Sequence, residues 1–230
     1  MSDENVISFK DVNIYQGKSL VLSDVTFDIH NTEFIYMIGK TGSGKSSLLK
    51  TIYGDLTLNS GSATVSNFDL AKATWKNIPY LRRKLGIVFQ DFQLLNDRSV
   101  DENLAFVLRA TGTTDNSLIR IKTDEALRRV GLQSKGFKLP FELSGGEQQR
   151  VVVARAIIND PVIILADEPT GNLDPETSDD IMKLLHQLNR EYKTAILMAT
   201  HNYDILKKFP NKIMRCAGGK VIMEESTVIA

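Results

Sequence analysis

Phe34-Ile35-Tyr36-Met37-Ile38-Gly39-Lys40-Thr41-Gly42-Ser43-Gly44-Lys45-Ser46 is the stretch on which the fold turns. Five consecutive apolar residues read as a strand buried on both faces, which is how strands of a parallel sheet look. The run ends in a string that matches G-x-x-x-x-G-K-[ST] in full. Glycines there let backbone N–H groups converge on phosphate oxygens without a side chain in the way. Residues 45–54 have a helical pattern, and the positive end of that helix adds to the anion field. In this pattern Lys45 reaches the β- and γ-phosphates and Ser46 ligates Mg²⁺. Lys45 is expected in a solvent-facing loop.

Three further apolar runs have strand length: Leu85–Phe89, Val162–Ala166 and Ala195–Ala199. A helical pattern at 176–191 separates the last two. Alternating strand and helix implies a mostly parallel α/β sheet with its ligand at the strands' carboxyl ends. The three runs end in Gln90, in Asp167 and Glu168, and in Thr200 and His201. The strands leading to Gln90 and His201 are expected to flank the strand of the glycine loop. Residues 6–9 and 21–29 alternate apolar and polar, so they read as half-buried antiparallel strands. Residues 93–142 are rich in helix formers and read as a helical insertion. Gly218-Gly219 between strand-like flanks marks a C-terminal hairpin.

Two carboxylates at the end of a buried strand downstream of a phosphate loop suit a division of labour. Asp167 holds Mg²⁺ through water, and Glu168 polarises an attacking water. A second anion site is expected at Leu143-Ser144-Gly145-Gly146-Glu147. Ser144 and Glu147 have the spacing of a capping box, and Val151, Ala154 and Ile158 give the following helix an apolar face. Glycine in a first helical turn costs about 1 kcal/mol relative to Ala, so a simple cap has no use for two of them. Backbone approaching an anion does. Tyr15 either stacks on a base or packs as an ordinary aromatic.

Composition sets the outer bounds. The 230 residues carry 28 Lys and Arg against 28 Asp and Glu, so nothing advertises nucleic acid. One cysteine, Cys216, excludes an internal disulfide framework and fits a reducing compartment. The N-terminal residues lack the features of a secretory signal, and no run approaches the roughly 18 apolar residues of a membrane span. Membrane association is therefore expected through a partner.

Taken in order, these motifs resemble the ATP-binding cassette (ABC) ATPases over the whole chain. The resemblance implies a single 1–230 ABC domain with the fold of a P-loop NTPase core. An N-terminal antiparallel β subdomain joins the core, 1–92 and 143–230, and an α-helical subdomain, 93–142, is inserted in it. It assigns Tyr15 to the aromatic loop that meets adenine, Gly39 to Ser46 to Walker A with Ser47 beside it, and Gln90 to the Q-loop. It assigns Ser144, Gly145, Gly146 and Glu147 to the signature, Asp167 and Glu168 to Walker B with the catalytic base, Asp174 to the D-loop and His201 to the switch. The implied cofactors are ATP and Mg²⁺, with Ser46, Gln90 and Asp167 around the metal. The implied assembly is a homodimer in which the signature of one protomer faces the Walker A of the other. The D-loop here is Gly171-Asn172-Leu173-Asp174, where many relatives have Ser-Ala-Leu-Asp. The variant is common in a subgroup of lipoprotein-releasing, macrolide-export and cell-division ATPases. The strings 81–95 and 209–215 look most like the cell-division members, and a transporter subunit is the alternative. Either way an integral membrane, permease-like partner is implied, and with it a cytoplasmic position on the inner face of the membrane. That partner is expected to dock near Phe92, Leu94 and Leu95, unless those residues merely pack the insertion on the core.

Overall fold

A computed structural model describes residues 5–224; the ends of the 1–230 span lie outside the described residues. The chain opens with a long hairpin, β1 (Asn5–Gln16) and β2 (Ser19–His30). Alternate residues point inward, with Leu22, Val25, Phe27 and Ile29 buried on β2. β1 runs well past the four residues whose alternation is visible in the sequence. Lys10 and Asp11 sit at a break in register between Phe9 and Val12, and Asp11 adopts a φ of 53°. That bulge interrupts the period of two without ending the strand. β1 also pairs with β4 (Ser62–Val65), and β4 pairs with β5 (Phe68–Asp69), closing a four-stranded antiparallel sheet.

The second sheet has six strands in the order β10-β9-β3-β8-β7-β6. They are β3 (Phe34–Ile38), β6 (Leu85–Val88), β7 (Ile163–Asp167), β8 (Ala195–Thr200), β9 (Lys212–Ala217) and β10 (Lys220–Glu224). Only β10, the hairpin partner of β9, runs antiparallel. β3 is buried on both faces because each face meets its own core. Ile35 and Met37 join the antiparallel sheet and α1 (Lys45–Ile52). Phe34, Tyr36 and Ile38 join the larger helical layer. That layer holds α3 (Val100–Ala110), α4 (Asn116–Arg129), α5 (Gly145–Ile157) and α6 (Pro175–Tyr192). Two short helices, α2 (Ile78–Arg82) and α7 (Tyr203–Lys208), lead into β6 and β9.

The stretch 93–142 holds α3 and α4 and no strand. Ser99 caps α3 with a full capping box to Glu102, and Asp115 caps α4. Both helices pack on α5, which begins just beyond the stretch.

One correction concerns strand order. β8, leading to His201, does flank β3, but β6, leading to Gln90, is the far edge strand beyond β7. Hydrophobic runs report that strands exist, and they carry no record of which neighbours them.

His186 of α6 fastens the helical layer to the sheet. Its ring stacks on Phe34 with centroids 4.3 Å apart and on Phe209 at 5.5 Å. The Tyr36 hydroxyl donates to the Phe209 carbonyl at 2.8 Å and lies 3.4 Å from His186 Nε2. Burial holds the His186 pKa below its ordinary value, and Arg190 lowers it further. A lowered folded pKa means stability that is complete above the unfolded value of about 6.5 and is lost as pH falls from there through the folded value. His186→Phe keeps the stack and cannot ionise. Between about pH 7.5 and 5.5 the melting temperature of the wild type should therefore fall relative to the variant. Parallel melting curves would contradict this.

Candidate functional site

The strand ends place the site. Register pairs Ile38 with Thr200, Ala199 with Asp167, and Ala166 with Val88, so four parallel strands finish at one edge. A cleft of about 550 Å³ opens along that edge. This lies within the ~300–1,000 Å³ usual for small-molecule sites. Gln90, Asp167, Glu168 and His201 all line it, as do Thr41, Gly42 and the start of α1 from Gly44 to Ser47.

The loop between β3 and α1 is shaped for an anion. Gly44 is the N-cap of α1 at a φ of 100°, and a Cβ there would stand 2.8 Å from Leu22 Cγ. No other residue tolerates both the dihedral and the contact. Gly39, Lys40 and Ser43 belong to the same loop but are not among the residues lining the cleft. Ser43 N–H donates to the Lys40 carbonyl at 3.0 Å. The Ser43 hydroxyl is buried and has no partner among the described residues, so the loop keeps a polar group unsatisfied. Lys45 is the first residue of α1 and is buried, 8% exposed, which corrects the expectation of a solvent-facing lysine. Its Nζ donates to the Gly39 carbonyl at 2.8 Å. The ammonium is thus desolvated and held by its own loop, directly under the phosphate cradle.

Ser46 and Asp167 both line the cleft. Burial pushes the Asp167 carboxyl up, the nearby Ser46 hydroxyl draws it back, and the neighbouring Glu168 charge adds to the rise. A desolvated carboxylate beside a hydroxyl suits Mg²⁺, which prefers one or two carboxylates completed by water and phosphate. Among the described residues no group of three or more His, Cys, Asp or Glu is placed to hold a metal ion by itself.

Glu168 has a φ of 49°, in the left-handed region that costs a residue with a Cβ. Two bonds enforce it. Its N–H donates to the Ala199 carbonyl at 3.0 Å, and its carbonyl accepts from Gly171 N–H at 3.0 Å. The turn aims the side chain at His201, whose Nδ1 lies 2.8 Å from Glu168 Oε1. A carboxylate can only accept, so the ring donates from Nδ1. The carboxylate is largely buried and the histidine mostly exposed, at 14% and 65% of their side chains.

The remaining expected residues lie elsewhere. Tyr15 is in strand β1, paired with Leu20, rather than in a loop. It does not line the cleft, although its neighbour Gln16 does, along with Val21 and Lys50. Gln16 and Val21 had no sequence signal, because a hairpin end bends into the site only once the two sheets pack, whereas Lys50 lies one turn along α1 from Ser46. Asp174 caps α6, accepting from Thr177 N–H at 3.0 Å. Ser144 and Glu147 make both arms of the capping box on α5, and Lys135 pairs with Glu147 at 3.2 Å. The bond from the Ser144 backbone holds the Glu147 carboxyl below its usual range. Gly145 and Ser144 are exposed. Gly146 has a structural reason to be glycine, since a Cβ there would stand 2.5 Å from Thr177 Cγ2 on α6. Ser144 to Glu147 are not among the residues lining the cleft. The N-terminus of α5 is thus exposed and lies outside the lining of the cleft.

Comparison with known proteins agrees with this geometry. The ABC transporter family model matches residues 22–171. The cell division ATP-binding protein FtsE of Mycobacterium tuberculosis is 44% identical over 204 residues, 89% of this chain and 88% of that protein. FtsE of Streptococcus pneumoniae is 40% identical over 223 residues, 96% of each. Among solved structures, the dimeric post-hydrolysis ATP-binding cassette MJ0796 bound to ADP and Pi superposes with a TM-score of 0.83. It is 32% identical, and the match spans 97% of this chain and 99% of that one. The chain belongs to the ABC transporter ATPase family, where it stands with the cell division ATP-binding proteins.

Proposed function

We propose that two copies of this chain close around two ATP molecules with Mg²⁺ and drive an integral membrane partner of the FtsX kind. In this reading ATP cycling controls peptidoglycan hydrolases during bacterial cell division. The observation that carries the two-copy reading is the separation of the two anion-binding helix ends. The cleft holds the phosphate loop and both carboxylates, while the Ser144 end of α5 is exposed and outside the cleft lining. A second copy would bring such an end to the open side of the cleft. The solved dimer of MJ0796, with ADP and Pi, is a relative consistent with that arrangement.

Within one protomer the roles divide as follows. Backbone N–H groups at 41–46 and the Lys45 ammonium bind the phosphates of ATP. Ser46, Asp167 and Gln90 would hold Mg²⁺, which supplies neutralisation of phosphate charge when bound. Glu168 accepts a proton from the attacking water, and His201 orients that carboxylate through the Nδ1–Oε1 bond, as a third group orients a base. The rest of the imidazole is exposed and would be free to contact the γ-phosphate. Gln16 and Val21, at the hairpin end, line the cleft on the side proposed for adenine, with Tyr15 next to Gln16 in β1. Asp174 shapes the dimer face by fixing the start of α6.

The helical stretch 93–142 is the unit proposed to move against the core. Phe92 and Leu94 pack half-buried against the core, as Val107 does, and the Leu95 backbone is tied down by Asn103. Beside them runs a groove between α2 and α3, lined by Arg82, Arg83, Phe89 and Gln93 among others, and this groove is the surface assigned to the partner. No helix among the described residues is long and apolar enough to cross a membrane, so the chain's position at the inner membrane face rests on this contact.

Three results test the proposal. Glu168→Gln keeps the shape and removes the base, and loss of general-base help costs about 10²–10⁴ in rate. ATP titration should show binding retained, whereas hydrolysis at the wild-type rate would remove Glu168 from this role. Ser144→Arg and Lys45→Ala should each be inactive alone. Mixed, they should regain one working site per heterodimer, because each supplies the half its partner lacks. No recovery from folded, ATP-competent material would break the composite site. Arg83→Glu in the groove should abolish co-purification with the membrane partner and leave the ATPase rate of the isolated chain unchanged. Retained co-purification would place the contact elsewhere.

A further inference from the structure

Gln90 leaves the edge strand β6, three strands away from the phosphate loop, and its side chain still lines the cleft. Something must hold it there. Gly171 lies so close to the Gln90 amide that a Cβ would stand 3.1 Å from Nε2 and 3.5 Å from Cδ. The absence of a side chain at 171 is what lets the amide lie in that place. The next residue, Asn172, donates from Nδ2 to the Gln90 backbone carbonyl at 3.2 Å.

On the other side of the loop, Arg155 of α5 donates to the Phe92 carbonyl at 3.0 Å and the Gln93 carbonyl at 2.6 Å. Arg155 has no carboxylate partner among the described residues, and burial lowers its pKa. Its charge is answered by these two carbonyl dipoles. Gln93 sits at a φ of 49°, a conformation that a side chain opposes and that an outside hold must maintain. Residues 90–93 are thus strapped from two directions. One strap comes from the loop that follows Glu168, the other from the helix that begins at Ser144.

We infer that Asn172 and Arg155 are positioning residues for ATP hydrolysis, fixing the 90–93 backbone so that the Gln90 side chain is presented to the cleft. The inference rests on the reading of Gln90 as a nucleotide-side contact. It adds a route by which the composite site is coordinated. A shift of Gln90 pulls directly on the D-loop and on α5, the helix whose other end is the signature. Arg155 and Gln93 also line the groove assigned to the partner, so an occupant of that groove bears on the same strap.

The test is steady-state ATPase kinetics of the purified full chain, with melting curves as a folding control. Asn172 is exposed, so its variants should fold. Asn172→Ala should lower kcat about threefold to tenfold, the worth of one hydrogen bond, with KM for ATP changed by less than about twofold. Asn172→Asp keeps the shape, loses the donor and should do the same. Arg155→Lys, which keeps the charge but not the fork, should also lower kcat. The selective readout is the Gln90→Ala background. With the amide gone there is nothing left to position, and Asn172→Ala should have no further effect. A normal kcat for both Asn172 variants, where Gln90→Ala is slow, overturns this inference alone. So does an undiminished Asn172→Ala effect in the Gln90→Ala background. A normal kcat for Gln90→Ala overturns the reading of Gln90 and this inference with it.

Discussion

Parallel hydrogen bonding among β3, β8, β7 and β6 is the constraint on which the site depends. The register sets Ile38 beside Thr200, Ala199 beside Asp167 and Ala166 beside Val88. Each strand delivers one kind of group to the same edge: a phosphate cradle, a histidine, two carboxylates and an amide. Slipping any strand by one residue would turn its side chains to the opposite face and scatter the set. Burial of β3 on both faces makes that slip costly. Its even-numbered residues are committed to the helical core and its odd-numbered ones to the other.

The same edge concentrates opposed electrostatic demands. Lys45 is desolvated and satisfied by its own loop, while Asp167 is desolvated with its carboxyl pushed up. Ser43 contributes a buried hydroxyl without a partner. Each of these features is a cost in the isolated fold and a contribution once a polyanion lies on the loop. Glu168 carries strain in its backbone, and the Ala199 and Gly171 bonds impose it. On the proposed function, these groups would be set in place before the substrate arrives, as electrostatic preorganisation requires.

Much of this was legible in the sequence because the relevant signals are local. The five-residue apolar run before Gly39, the glycine spacing, the Ser144–Glu147 box and the run ending in Asp167 all read correctly as elements. What escaped reading depends on segments far apart in the chain. The bulge at Lys10 and Asp11 hid most of β1. The neighbours of β6 follow from the whole topology and not from its own composition. Gly146 was attributed to anion approach alone, and it also makes room for Thr177. Gln16 and Val21 reach the cleft only because one sheet folds over the other. Arg155 and Asn172 bind backbone carbonyls 62 and 82 residues distant, and such bonds leave no pattern along the chain.

The central claim is that the site is completed by a second copy. Sedimentation equilibrium of the Glu168→Gln chain, which would bind ATP without consuming it, tests this most directly. The account predicts a species of twice the 25.7 kDa chain mass with saturating ATP and Mg²⁺, and the single-chain mass with ADP. A single-chain mass at saturating ATP, with nucleotide demonstrably bound, would contradict it.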